Sequence, residues 1–246
     1  SSSLLTNMKF TRCRFRGGTS ASVFSQTSAY QHFNGLTFTD CTFEVAYFNN
    51  FTALAHSVAL QTDRGGASGQ LMDNLTFDHC HFGVANEYGQ TENKYGQILF
   101  YSHSNNGFLM TPTNYCDNFT VKNCIFEKSW NWSIDYAMND GDRIYDHQYC
   151  GFTCTNNLFK GCGGHLDEAT EDYPIALDLE PVYYGTITGN VFMRCAYDAT
   201  RLTYGTDYCT VANNIYDYRV NNGISPYVGG AYNFWVWRVI KLSSGT

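Results

Sequence analysis

The sequence predicts an all-β protein: a right-handed single-stranded parallel β-helix, a solenoid of about seven coils. Three observations carry that expectation. An eight-residue unit recurs seven times. The distance between its copies varies widely. The composition, 43% hydrophobic and 15% charged with 18 Phe and 19 Tyr, is that of an ordered chain rich in strand-forming residues.

The octet is seen most plainly in Leu36-Thr-Phe-Thr-Asp-Cys-Thr-Phe43 and Leu75-Thr-Phe-Asp-His-Cys-His-Phe82. Further copies run Met8–Phe15, Phe119–Phe126, Phe152–Phe159, Gly185–Phe192 and Cys209–Tyr216. The eighth position is aromatic every time. The sixth is Cys13, Cys41, Cys80 and Cys124, then Asn157, Asn190 and Asn214. Successive sixth positions are 28, 39, 44, 33, 33 and 24 residues apart. A solenoid whose loops differ in length accepts such variation, whereas propellers and leucine-rich repeats hold their period more tightly.

Each element of the octet has a physical reading. Leu36 and Phe38 alternate with Thr37 and Thr39, the period of a half-buried strand. Asp-Cys or Asn-Asn then suits a bend with one left-handed residue beside an inward side chain. Stacked asparagines at the sixth position would pair amides from copy to copy, and cysteines there would act as small buried hydrophobes. Rungs would lie about 4.8 Å apart. The ten cysteines form no CxxC pair and no zinc-spaced cluster. Stacked free thiols are expected along the ladder. Cys162 with Cys195, and Cys116 with Cys150, are the disulfide candidates of an exported protein.

The octet resembles the parallel β-helix repeat of the pectate-lyase-like superfamily, an apolar-x-apolar strand followed by Asn-x-aromatic. The resemblance covers roughly residues 8–219 and implies the fold. That superfamily includes lyases, hydrolases, epimerases, phage tailspikes and adhesins, so the repeat does not choose among chemistries. The domain division expected is a β-helix over 1–219 and, over 220–246, a cap, the start of a further domain or a homotrimer contact. An open solenoid end needs covering, and Phe234–Ile240 is apolar and β-prone. The opening Ser1-Ser2-Ser3, with no secretory signal pattern, is expected of a mature chain or a fragment.

A second strand follows the octets at Val58–Asp63, Ile98–His103, Trp132–Met138, Ile175–Glu180 and Thr200–Tyr204. If Ile175, Leu177 and Leu179 point inward, Asp178 and Glu180 point out. The same phase turns Gln61, Asp63, Tyr101, His103, Asp135 and Arg201 outward. This strip is the expected site. Carboxylates two apart on a strand lie roughly 6.5–7 Å apart, and those on adjacent rungs about 5 Å. Such separations serve glycoside hydrolysis, in which one carboxyl donates a proton and the other attacks or activates water. Asp178 and Glu180 are the expected acid/base or nucleophile, with Asp135 assisting. Arg201, Tyr101, His103, Gln61 and Asp63 would bind substrate, and Arg201 is also placed to pair with Glu180. Ile175-Ala-Leu-Asp-Leu-Glu-Pro181 resembles an apolar-Asp-apolar-Glu-Pro motif of β-helix proteins from bacteria and phage tails, with Ala176 where that motif has Gly; the likeness points to the same two carboxylates.

Several features are read as plain structure. Gly163–Glu168 is a loop and Asn139–Arg143 a turn. The sequons at Asn50, Asn74, Asn118 and Asn131 are permissive only. Arg238-Val-Ile-Lys241 is similar to the Arg-Ile-Lys element of polygalacturonases, but Asn-Thr-Asp, Asp-Asp and Gly-His-Gly are missing. A net charge of −7 with 15 dispersed Lys and Arg argues against a nucleic-acid partner. No run of 18 apolar residues is present to span a membrane. The expected partner is a polysaccharide or surface glycan, in an extracellular, cell-surface or virion setting. Hydrolysis needs no cofactor. A non-catalytic adhesin or phage-tail module is the second reading, and a Ca²⁺-assisted lyase or epimerase the third.

Overall fold

Each octet becomes two short strands joined by one residue of left-handed backbone. A computed structural model of the chain describes residues 3–17, 24–26, 31–45, 58–62, 71–84, 98–102, 118–127, 133–138, 151–162, 175–180, 182, 184–193, 195, 198–202, 206, 208–217 and 238–242. The bend residue is the fifth of the octet: Arg12, Asp40, His79, Asn123, Asn156, Gly189 and Asn213 all have φ between 54° and 69°. Asn, Asp and Gly take this conformation at least cost. Hydrogen bonding does not break at the corner. The bend amide of Asp40 donates to Asp78 O at 3.1 Å, and that of Asn156 to Thr188 O at 3.0 Å.

All the described strands that pair do so in parallel, in four sheets. The first sheet takes the leading strand of every octet, from Lys9–Thr11 through Thr37–Thr39 to Thr210–Ala212, and has seven strands. The second takes the trailing strands, from Arg14–Gly17 to Ile215–Asp217, again seven. The third, also seven-stranded, runs through Phe24–Gln26, Val58–Thr62, Ile98–Ser102, Ile134–Met138, Ile175–Glu180, Asp198–Leu202 and Arg238–Leu242. A three-stranded sheet of Ser3–Thr6, Gln31–Asn34 and Leu71–Asp73 precedes the first three octets. Neighbours within each sheet come from successive repeats, an all-β arrangement consistent with a β-solenoid. The tail supplies Arg238–Leu242, which pairs with Asp198–Leu202. Among the described residues no helix is long and apolar enough to cross a membrane.

The core is built from columns. The eighth-position rings, Phe15, Phe43, Phe82, Phe126, Phe159, Phe192 and Tyr216, stack face to face with centroids 4.6–5.0 Å apart. Phe10, Phe38 and Phe77 stack at the third position and meet that column edge-on, as in Phe38 against Phe43 at 5.4 Å and 75°. Stacked and edge-on pairs are the two favourable ring geometries, worth about 0.5–1.5 kcal/mol each beyond area burial.

The sixth-position asparagines pair amides from copy to copy as expected, Asn157 Nδ2 donating to Asn190 Oδ1 and Asn190 Nδ2 to Asn214 Oδ1 at 3.0 Å, and the whole column also serves the backbone. The side chain of each repeat donates to the third-position carbonyl of the repeat before it: Cys41 to Phe10 O, Cys80 to Phe38 O and Cys124 to Phe77 O, at 3.4–3.6 Å. Asn157, Asn190 and Asn214 make the equivalent bonds to Val121 O, Cys154 O and Ile187 O at 2.8–2.9 Å. Each also receives a buried backbone N–H. Cys80 N donates to Cys124 Sγ at 3.4 Å, Cys124 N to Asn157 Oδ1 at 2.8 Å, and Asn157 N to Asn190 Oδ1 at 2.9 Å. The cysteines are therefore weak hydrogen-bonding groups as well as small hydrophobes. Cys162 and Cys195, a disulfide candidate pair if the protein is exported, are buried unbridged thiols in a similar role, donating to Phe126 O and Phe159 O. Cys116 and Cys150 lie outside the described residues.

Candidate functional site

The third sheet holds the predicted strip, and its register can be read strand by strand. Val58, Ile98, Ile134, Leu177 and Thr200 lie in one column. Leu60, Phe100, Tyr136, Leu179 and Leu202 lie in another. These are the residues assigned inward by alternation, so the shared phase is as expected. The expected outward residues fall in two further columns. One is Leu99, Asp135, Asp178, Arg201 and Lys241; the other is Gln61, Tyr101, Ala137 and Glu180. Asp63 and His103 lie outside the described residues, as do the loop 163–168 and the turn 139–143.

Asp178 departs from the expectation of a solvent-lined strip. Its side chain is 1% exposed, and Ile175, Ala176, Leu177 and Leu179 around it are also buried. Strand Ile175–Glu180 is thus buried on both faces over most of its length. Alternation marks which residues share a face, but it cannot show whether that face is covered. An isolated buried carboxylate is costly, and Asp178 is compensated by Arg201. The Arg201 Nε donates to one carboxylate oxygen at 2.7 Å and an η-nitrogen donates to the other. The forked pairing matches guanidinium to carboxylate. Arg201, for which a pairing with Glu180 is the expectation, forks onto Asp178. It keeps 21% of its side chain exposed, so it links the buried acid to the surface.

The register places Asp135 directly beside Asp178 on one side, with Arg201 on the other and Lys241 beyond it. The column reads acid, acid, base, base. Glu180 occupies the parallel column, two residues along from Asp178. By strand geometry the backbones at Asp135 and Glu180 are diagonal neighbours roughly 8 Å apart. Thr206 ties the end of this strand to the next repeat: its hydroxyl donates to Leu179 O at 3.2 Å and accepts from Val182 N at 3.1 Å. Lys241 was not among the expected site residues. In the sequence it stands only as the end of the Arg238-Val-Ile-Lys241 element, set aside because the other elements of that pattern are missing.

Several other charges among the described residues pair with one another. Arg14 forks onto Glu44, and Glu127 bridges His81 and Lys160 at 3.0 and 3.1 Å. Burial raises the Asp78 carboxyl, but hydrogen bonds from Asn123 and Lys122, with the charges of Lys122 and His79, bring it below the usual range. Among the described residues no group of three or more His, Cys, Asp or Glu is arranged to hold a metal ion. Two of the sequons have a structural origin. Asn74 and Asn118 stand just before an octet, where φ is 55° and 61°, and Thr76 and Thr120 are strand residues facing out. Asn118 Nδ2 donates to Asn74 Oδ1 at 3.0 Å, and Asn74 Nδ2 to Asn34 Oδ1 at 2.9 Å. Comparison with known proteins finds no family model, no curated protein and no solved structure that matches this chain.

Proposed function

We propose that the chain is a right-handed single-stranded parallel β-helix of about seven coils, of the pectate-lyase-like kind, that engages and hydrolyses an extracellular or surface glycan at its third sheet. Three seven-stranded parallel sheets built from successive repeats support the coil count. The hand follows from the strong preference of parallel crossovers for right-handedness. The observation that carries the function is the in-register column Asp135–Asp178–Arg201, with Glu180 beside it.

Burial and the bidentate bond to Arg201 alter the expected roles. Asp178 is engaged, so it is better suited to holding Arg201 than to attacking a sugar. Asp135 and Glu180 are left as the working pair. Carboxyls on these diagonal neighbours are proposed to flank both a glycosidic bond and a water, the arrangement of an inverting hydrolase. One would protonate the leaving oxygen, and the other would take a proton from the attacking water.

The test is incubation with a panel of polysaccharides, scored for new reducing ends and for unsaturated products. New reducing ends are expected. Asp135→Asn and Glu180→Gln should each lose activity at least 100-fold while remaining folded. Unchanged turnover in both variants overturns the assignment. A second reading, a non-catalytic glycan-binding module of a cell surface or virion, is favoured by the burial of Asp178. Binding without products would support it. Unsaturated products lost on chelation would instead indicate a Ca²⁺-assisted lyase.

A further inference from the structure

Seven residues stand immediately before the seven octets, and all have left-handed backbone: Asn7, Gly35, Asn74, Asn118, Gly151, Tyr184 and Tyr208. The first five are Asn or Gly, which reach positive φ cheaply. Tyr184, at φ 60°, and Tyr208, at φ 52°, reach it against the preference of a bulky side chain. Strain of this sort is retained where another requirement fixes it, and it concentrates at ligand-contacting positions.

Core packing is not that requirement. The rings of Tyr184 and Tyr208 are 57% and 65% exposed. They stack on each other, with centroids 5.3 Å apart and planes 17° from parallel. One face of Tyr184 is thereby turned to Tyr208. The preceding position of the same column is Gly151. The Oδ1 of Asn118 lies at that rung, 2.7 Å from where a Gly151 Cβ would be. Two residues along each strand run Thr120, Thr153, Thr186 and Thr210, in register and turned away from the core. An aromatic face beside a row of hydroxyls and an amide oxygen matches a pyranose ring, with its apolar C–H face and equatorial hydroxyl rim. Tyr184 is also four residues beyond Glu180, so at most roughly 14 Å of chain separates the rings from the acidic column.

We infer that Tyr184 and Tyr208 form a stacking platform for a sugar ring of the bound glycan. The inference rests on the glycan reading above and names where the chain is held. Its test combines two measurements. In the first, the double variant Tyr184→Asn/Tyr208→Asn is compared with wild type by affinity electrophoresis against a panel of soluble neutral and acidic polysaccharides. Asn suits the left-handed backbone, so the thermal midpoint should hold or rise, while retardation by the bound polysaccharide should weaken at least tenfold. A Tyr184→Phe/Tyr208→Phe variant should bind as wild type does. In the second, wild-type protein is nitrated with tetranitromethane with and without that polysaccharide, and the modified tyrosines are mapped by mass spectrometry. Protection of Tyr184 and Tyr208 is expected. Wild-type retardation by the Asn variant, or nitration unaffected by the polysaccharide, overturns the platform and leaves the glycan reading standing. If no polysaccharide retards wild type, both fall.

Discussion

The two halves of the interior solve one packing problem in different ways. In the first four repeats the sixth position is Cys, and the third position is Phe10, Phe38 and Phe77, then Val121. In the last three the sixth position is Asn, and the third shrinks to Cys154, Ile187 and Val211. A larger side chain at one corner is matched by a smaller one on the adjoining strand, which keeps the cross-section filled. The hydrogen-bonding pattern is conserved through the change, but its strength is not. Thiol bonds of 3.4–3.6 Å give way to amide bonds of 2.8–3.0 Å. The first half relies on ring stacking, with weak polar links; the second has fewer rings and a strong polar spine.

The largest effect should come from breaking that spine. Asn190→Ala orphans Asn157 N and Cys154 O and takes one of the bonds of Asn157 Nδ2. Each orphaned buried group costs about 1–3 kcal/mol, so a loss of about 3 kcal/mol or more is expected in urea unfolding. Cys80→Ala removes only thiol contacts and should cost about 1–2 kcal/mol. Equal losses in the two variants would show that the halves do not differ in this way.

Exchanging the two chemistries sharpens the contrast. Cys124→Asn extends the amide spine by one repeat, beside the small Val121, and should be neutral or stabilising. Cys80→Asn puts the same amide beside Phe77, which is wholly buried, and overpacking should cost about 2 kcal/mol. Thermal melts of the pair measure the difference. If both are destabilised alike, volume matching is not what sets the boundary.

The smallest effect is one of pH. Burial pushes the Cys154 thiol up to about 12, and burial likewise raises Cys41, Cys124 and Cys195. A thiol raised in the folded state ionises first in the unfolded chain. Its contribution is therefore complete below pH 9 and declines as pH rises from there toward the folded value. Wild type compared with Cys154→Ala at pH 7 and pH 10 should show about 1.4 kcal/mol of extra alkaline loss in the wild type. Identical pH slopes would count against a neutral buried thiol.

Much of this was legible in sequence, for reasons that particular residues make clear. Leu36–Phe43 and its copies announce two strands and a bend, because alternation and the Asp or Asn at the corner have no other economical reading. The phase of the third sheet followed from Ile175, Leu177 and Leu179 for the same reason. Three things were not legible. The left-handed column before each octet begins with Asn7, Gly35 and Asn74, a usable signal, but Tyr184 and Tyr208 hide its continuation. The burial of Asp178 depends on what covers an outward face, which alternation does not encode. The pairing of Arg201 with Asp178 is a matter of register, since the two are Cα partners.

The two columns of left-handed residues have a consequence for how such a chain changes over time. They fix the bend before every octet and the bend within it, so each rung is set locally, whatever number of residues intervenes before the next. Spacings from 24 to 44 residues are already accommodated. Foreign segments grafted between octets should therefore leave the rungs intact, and the chain can acquire new surfaces while its spine stays as it is.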